Sequence, residues 1–101
     1  MNDIYKALAH PVRRQILAAL RERAHSAGEI ADLFSIAKPT LSGHLNVMKN
    51  ADLVSVERRG QTLIYRVNIS VLEDALANLM DMFKIGAEEE ETPVARVKAI
   101  K

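Results

Sequence analysis

Apolar residues recur along this chain at helical spacing, then at strand spacing, then at helical spacing again, and the changes of period mark its elements. Ile4, Tyr5 and Leu8 fall on one side of a short helix spanning residues 4–9. His10-Pro11 ends it, because the residue before a proline avoids helical geometry. Pro11 then opens a second helix to about Arg23, with Val12, Ile16, Leu17 and Leu20 as its buried stripe. Ser26 and Glu29 form a capping box, the serine oxygen accepting a free backbone N–H while the carboxylate reaches back to the cap. Ile30, Ala31, Leu33 and Phe34 give that third helix its apolar stripe, and Ser35 and Ile36 interrupt it. Lys38-Pro39-Thr40 is a second start signal, after which Leu41, Leu45 and Met48 form one buried face of a fourth helix. Leu53 to Arg58 and Leu63 to Val67 are β-rich runs around a turn with Gly60 and read as a hairpin. Ser70 caps a last helix to about Ile85, which Gly86 ends.

The predicted order is α-α-α-α-β-β-α, mostly helical with a two-stranded β-hairpin wing. That order is the plan of a winged helix-turn-helix, a device for reading DNA. The polar remainder of the fourth helix fits the part. Lys38, Thr40, Ser42, Gly43, His44, Asn46 and Lys49 are left off its buried face, and none is acidic. Short polar and cationic side chains are what base edges and phosphates require of a helix lying close to them. Gly43 lowers helix propensity by about 1 kcal/mol relative to alanine, yet lets the backbone approach a partner closely. The hairpin tip carries Arg58, Arg59, Gln61 and Thr62 around a glycine, so a cationic finger projects from a ribbon. A solvated polar helix face and an ordinary surface hairpin would explain each element alone; their order favours DNA.

The last helix has an excess of apolar positions: Val71, Leu72, Ala75, Leu76, Leu79, Met80, Met82 and Phe83. One face of a small domain hides less than that, so part of it is expected to meet a second subunit, a wide core-facing stripe being the alternative. Arg13, Arg14, Arg21 and Arg23 edge the second helix; Arg13 and Arg14 are read equally as phosphate contacts or as solvated side chains.

Composition narrows the class. At 101 residues, 49% hydrophobic and 27% charged, the chain is one small domain, residues 1–86, with a tail at 87–101 that shows no strong pattern and is expected to be mobile. Its run Glu88 to Glu91 is read as solvation. The net charge is only +1, but residues 1–66 hold ten Lys or Arg against six Asp or Glu, and residues 67–101 hold four against seven. The positive part is the part with the reading elements. There is no cysteine, which excludes disulfides, thiolate metal sites and thiol redox sensing. No apolar run approaches the about 18 residues of a membrane span and no secretion signal opens the chain, so a cytoplasmic protein is expected.

Several segments together carry a family likeness. Ala7-Leu8-Ala9-His10-Pro11-Val12-Arg13-Arg14-Gln15-Ile16-Leu17, then Pro39-Thr40-Leu41-Ser42-Gly43-His44-Leu45, Ala51-Asp52-Leu53-Val54, and Arg59-Gly60-Gln61 through Ile64-Tyr65 resemble the ArsR family of bacterial winged-helix repressors. Within it the chain is most similar to the SdpR-type autorepressors, over roughly residues 3–85. The resemblance implies a homodimer, joined through its first and last helices, that binds an imperfect palindrome in double-stranded DNA and blocks transcription. It carries DNA contact to Lys38, Thr40, Ser42, His44 and Asn46, and the wing to Arg58 through Thr62. The implied dimer interface takes Ile4, Tyr5 and Leu8 with Leu72, Leu76, Leu79, Met80 and Phe83. Pro39 and Gly43 depart from the residues many members have there, so base preference is not transferable.

The family is best known for metal sensors, and neither of its common sites is available to these residues. Where a Cys-x-Cys pattern would lie, this chain has Glu29-Ile30-Ala31-Asp32-Leu33. The last helix offers Glu73, Asp74 and Asp81 but no histidine, and carboxylates alone make a poor transition-metal site. His10 is read as a helix-boundary residue, His25 as a loop residue and His44 as a DNA contact. No metal, cofactor or catalytic residue is therefore assigned, and no nucleophile–base pair or phosphate loop supports an enzyme. The expected activity is sequence-specific repression without metal sensing; a winged-helix protein-interaction module is the alternative. A sequestering protein or small-molecule effector is left open.

Overall fold

The structure is a computed structural model and describes residues 2–84. Its elements run α1 (Asn2–Leu8), α2 (Pro11–Glu22), β1 (His25–Ser26), α3 (Ala27–Phe34), α4 (Lys38–Asn50), β2 (Val54–Arg59), β3 (Thr62–Val67) and α5 (Ile69–Met82). The expected ends of the last helix at Ile85 and Gly86, and the tail at 87–101, lie outside the described residues.

Local chemistry accounts for the boundaries. The His10 ring caps α2, its Nδ1 accepting from the Val12 N–H at 3.1 Å, with Pro11 in the first turn where no N–H is needed. The Ser26–Glu29 box is fully formed: the Glu29 N–H donates to Ser26 Oγ at 3.1 Å and the Ser26 N–H to Glu29 Oε1 at 2.8 Å. That backbone donor, with Arg23 nearby, holds the Glu29 carboxyl below the usual range. Ser35 closes α3 in the left-handed region, at φ 52°.

The wing is an antiparallel hairpin whose register pairs Val54 with Val67 and Arg59 with Thr62, leaving Gly60 and Gln61 as a two-residue turn. Gly60 has φ +61°, which a glycine reaches without strain and a tight hairpin turn requires. A third strand joins it: His25 pairs with Tyr65 and Ser26 with Ile64, giving the sheet order β1-β3-β2. His25, expected in a loop, is buried in this strand. Its Nδ1 donates to the Arg23 carbonyl at 2.8 Å, since a carbonyl only accepts. A two-residue strand is too short to show alternation, which is why the pattern of the chain did not reveal it.

The core gathers Ala7, Ile16, Leu17, Leu20, Ile30, Ala31, Leu41, Leu45, Met48, Leu53, Val54 and Tyr65. Ile16, Ile30, Met48 and Leu53 are its largest fully enclosed side chains. Val12, expected in the buried stripe, is half-buried at its margin. Leu33, also assigned to a buried stripe, is 58% exposed. At about 100° per residue, it falls on the outer shoulder of a helix whose inner face is Ala27, Ile30, Ala31 and Phe34. Helix α5 meets this core through Val71 and Leu72 and also buries Ala75.

Candidate nucleic-acid interface

Helix α4 is held by Leu41, Leu45 and Met48, all buried, and turns Lys38, Thr40, Ser42, Gly43, Asn46 and Lys49 to solvent. A methyl group built on Gly43 would meet nothing of this chain. The glycine is therefore not demanded by packing within the protomer, and the backbone there is open to an approaching surface. Lys38 and Pro39 occupy the first turn, and Ala37 supplies no side-chain cap.

His44 is placed differently from its neighbours. It is half-buried, its Nδ1 lies 3.2 Å from Arg13 Nη1, and its ring meets the His10 ring edge to face at a centroid distance of 4.5 Å. Burial first, then His10 and Arg13, hold its pKa below the usual histidine value. Arg13 and Arg14 also have defined partners. Arg13 Nε donates to the Ala7 carbonyl at 2.8 Å and Nη2 to the Lys6 carbonyl at 3.0 Å, and Arg14 Nη1 donates to the Leu8 carbonyl at 2.7 Å. These cations satisfy the free carbonyls at the end of α1 and favour its negative dipole end. Neither expectation for them, phosphate contact or simple solvation, included that partner.

At the wing, Arg58, Arg59, Gln61 and Thr62 are exposed. Alternation along β2 separates the two arginines onto opposite faces of the ribbon. Arg59 shares its face with Glu57, to whose Oε2 its Nε donates at 3.1 Å, and Arg66 Nη1 donates to Glu57 Oε1 at 2.6 Å. Those two hydrogen bonds hold the Glu57 carboxyl below the usual range. Among the described residues Arg58 makes no ion pair. Arg66 and Glu57 were not singled out from sequence; opposite charges on one strand face, two residues apart or diagonal across the hairpin, are the signal that was available.

The residues expected at a dimer interface divide into two sets. Ile4, Leu8 and Leu72 are half-buried and pack partly against the protomer's own core, and Tyr5 is half-buried with a hydroxyl that lacks a hydrogen-bond partner among the described residues. Leu76, Leu79, Met80 and Phe83 are exposed, Phe83 by 62%. Among the described residues no three His, Asp or Glu side chains converge as a metal site, and no helix is long and apolar enough to cross a membrane.

A helix-turn-helix domain profile matches residues 8–57. The transcriptional repressor SdpR of Bacillus subtilis is 40% identical over 86 residues, covering 85% of this chain and 96% of that protein. The chain belongs to the ArsR family of winged-helix repressors. Among ArsR-family structures, an ArsR family transcriptional regulator, RHA00566, superposes with a TM-score of 0.68 over 82% of this chain and 89% of that one, at 23% identity, and so attests the fold. The transcriptional repressor BigR from Xylella fastidiosa superposes with a TM-score of 0.65 at 29% identity, covering 81% and 84%. Membership of the ArsR family makes this protein a DNA-binding transcriptional repressor and not an enzyme.

Proposed function

We propose that the protein represses transcription as a cytoplasmic homodimer on a palindromic operator, and that it does so without sensing a metal. Helix α4 enters the major groove. Thr40, Ser42 and Asn46 read base edges there, and Gly43 allows the close approach. Lys38, Lys49, Arg58 and Arg59 contact phosphates, with Gln61 and Thr62 beside them at the wing tip. Residues 1–86 act as one DNA-binding and dimerisation unit. The observation that carries this reading is the exposed face of α4, which is polar and cationic, lacks any acidic side chain, and is open at Gly43.

The apolar side of α5 supports self-association. Leu76, Leu79, Met80 and Phe83 form an exposed apolar row, and a dimer would present two α4 helices at the fixed spacing that a palindrome demands. Freedom from metal sensing is supported by the zero cysteine count and by a last helix without histidine.

The test is fluorescence anisotropy against DNA upstream of the protein's own coding sequence, at two salt concentrations with non-specific competitor. The expected result is competitor-resistant binding by a dimer, with affinity falling steeply as salt rises. Binding that competitor abolishes at both salts would remove the proposal. The same α5 row also fits an unlike protein partner, and sedimentation distinguishes the two readings: a homodimer supports the repressor, a monomer that copurifies with another protein supports an interaction module.

A further inference from the structure

Beside the exposed face of α4 lies a polar cluster of Arg13, His10 and His44. The Arg13 guanidinium is committed to it at three points: the Lys6 carbonyl, the Ala7 carbonyl and Nδ1 of His44. An arginine only donates, so His44 Nδ1 is the acceptor and the ring is neutral, with its proton on Nε2. The same reasoning fixes His10, whose Nδ1 accepts the Val12 N–H at the start of α2. Two neighbouring imidazoles are thus both held as acceptors, each facing a donor that cannot reverse its role.

We propose that the Arg13–His44 contact is a positioning link that fixes the recognition helix α4 against the end of α1, and that acid opens it. The residues joined are 31 apart in sequence, and one planar guanidinium spans both helices. Because α1 belongs to the proposed dimer interface, the link sets the separation of the two α4 helices as well as the angle of each. This inference rests on the reading of α4 as the DNA-contacting helix.

Protonation of His44 removes the acceptor and sets a second cation beside Arg13. The groups facing the ring are Arg13 from α2 and His10 from the α1–α2 junction, and among the described residues no carboxylate pairs with either imidazole. The sign follows. The pKa of His44 is depressed in the fold, so its contribution is complete above the ordinary histidine value and is lost as pH falls through the lowered one. A histidine that touched phosphate or a base acceptor directly would act oppositely, since protonation would tighten its contact.

The deciding experiment uses the full-length protein and the tightest duplex selected from a random pool, with affinity measured from pH 8 to 5.5 at constant ionic strength. Wild type is expected to lose affinity as pH falls, approaching about tenfold once the ring is protonated, the size of one lost charge-assisted hydrogen bond. His44→Asn keeps an oxygen acceptor near the position of Nδ1 and cannot titrate. Its affinity should change less between pH 8 and 5.5 than that of wild type. His44→Ala should bind weakly throughout while remaining folded by circular dichroism. Ring nitrogen NMR without DNA should show the Nε2–H form of His44 near neutral pH and a shift of that ring in Arg13→Ala. Affinity that rises in acid, or an Asn variant that changes preference at a single base pair, would overturn the link and make His44 a direct reader. If wild type selects no duplex, the DNA reading itself fails, and the NMR arm still decides: an Nδ1–H ring, or one unmoved in Arg13→Ala, refutes the link.

Discussion

Helices α4 and α5 are nearly equal in length, 13 and 14 residues, and each buries a stripe and exposes a face. Their exposed faces are opposite in chemistry. That of α4 carries Lys38, Thr40, Ser42, Asn46 and Lys49 around an open glycine, while α5 exposes, beside Glu73, Asp74 and Asp81, an apolar row of Leu76, Leu79 and Met80 that Phe83 continues past its end. Water tolerates the first at little cost and is displaced from the second with gain, at about 25 cal/mol per Å² of apolar surface. The same degree of exposure therefore means different things: one face is suited to a charged, hydrated partner, the other to an apolar one. Exposure leaves a face free in the protomer, and its chemistry sets the class of partner that it suits.

The strongest way to break this contrast is to give α5 the chemistry of α4. Leu76→Glu combined with Met80→Glu should leave the helical signal intact, because both side chains are exposed in the protomer. It should abolish the dimer in sedimentation and cost at least about 100-fold in operator affinity, since half-sites then bind singly. A double variant that stays dimeric would move the interface off α5. Next in size is Asn46→Ala, expected to cost about 1–3 kcal/mol and to relax preference at one base pair only, read by competition with point-substituted duplexes.

Smaller changes sharpen the electrostatic side. Arg58→Ala should weaken binding to all sequences alike and lower the salt slope by about one. Arg59→Ala should do less, because Glu57 already engages that guanidinium; equal losses would show that DNA fully displaces the carboxylate. The smallest effect is expected from Gly43→Ala. It should raise thermal stability by about 0.5–1 kcal/mol, as an alanine is the better helix former and its methyl meets nothing in the chain. It should also weaken DNA binding, a divergence visible in paired melting and anisotropy experiments.

Much of this architecture is legible in the sequence because its signals are local. The Ser26–Glu29 box, the His10-Pro11 break and the glycine turn all mark elements that form where they are written. What escaped is non-local. Strand β1 is two residues long and exists only because β3 offers it an edge. His44 sits on a helix face that periodicity assigns to solvent, yet His10 and Arg13 at the start of α2 come close enough to cover part of its ring. Arg13 and Arg14 look like surface cations until a helix terminus is set beside them. Periodicity tells which side of a helix meets the core; it is silent on what a neighbouring loop or helix end brings to the other side.

The carboxylate of Glu57, held between Arg59 and Arg66, has a consequence for how such a protein finds its target. A chromosome offers millions of wrong addresses for each right one, and a finger with bare positive charge lingers at all of them. Here the finger carries its own counterion. On the proposed reading, approaching phosphates would compete with an anion already seated, which would reduce the attraction on random DNA, while a site that also satisfied α4 could still draw the arginines away. If the wing meets phosphates and α4 reads bases as proposed, a single acidic residue in the basic hairpin would shorten the time lost on wrong sequence.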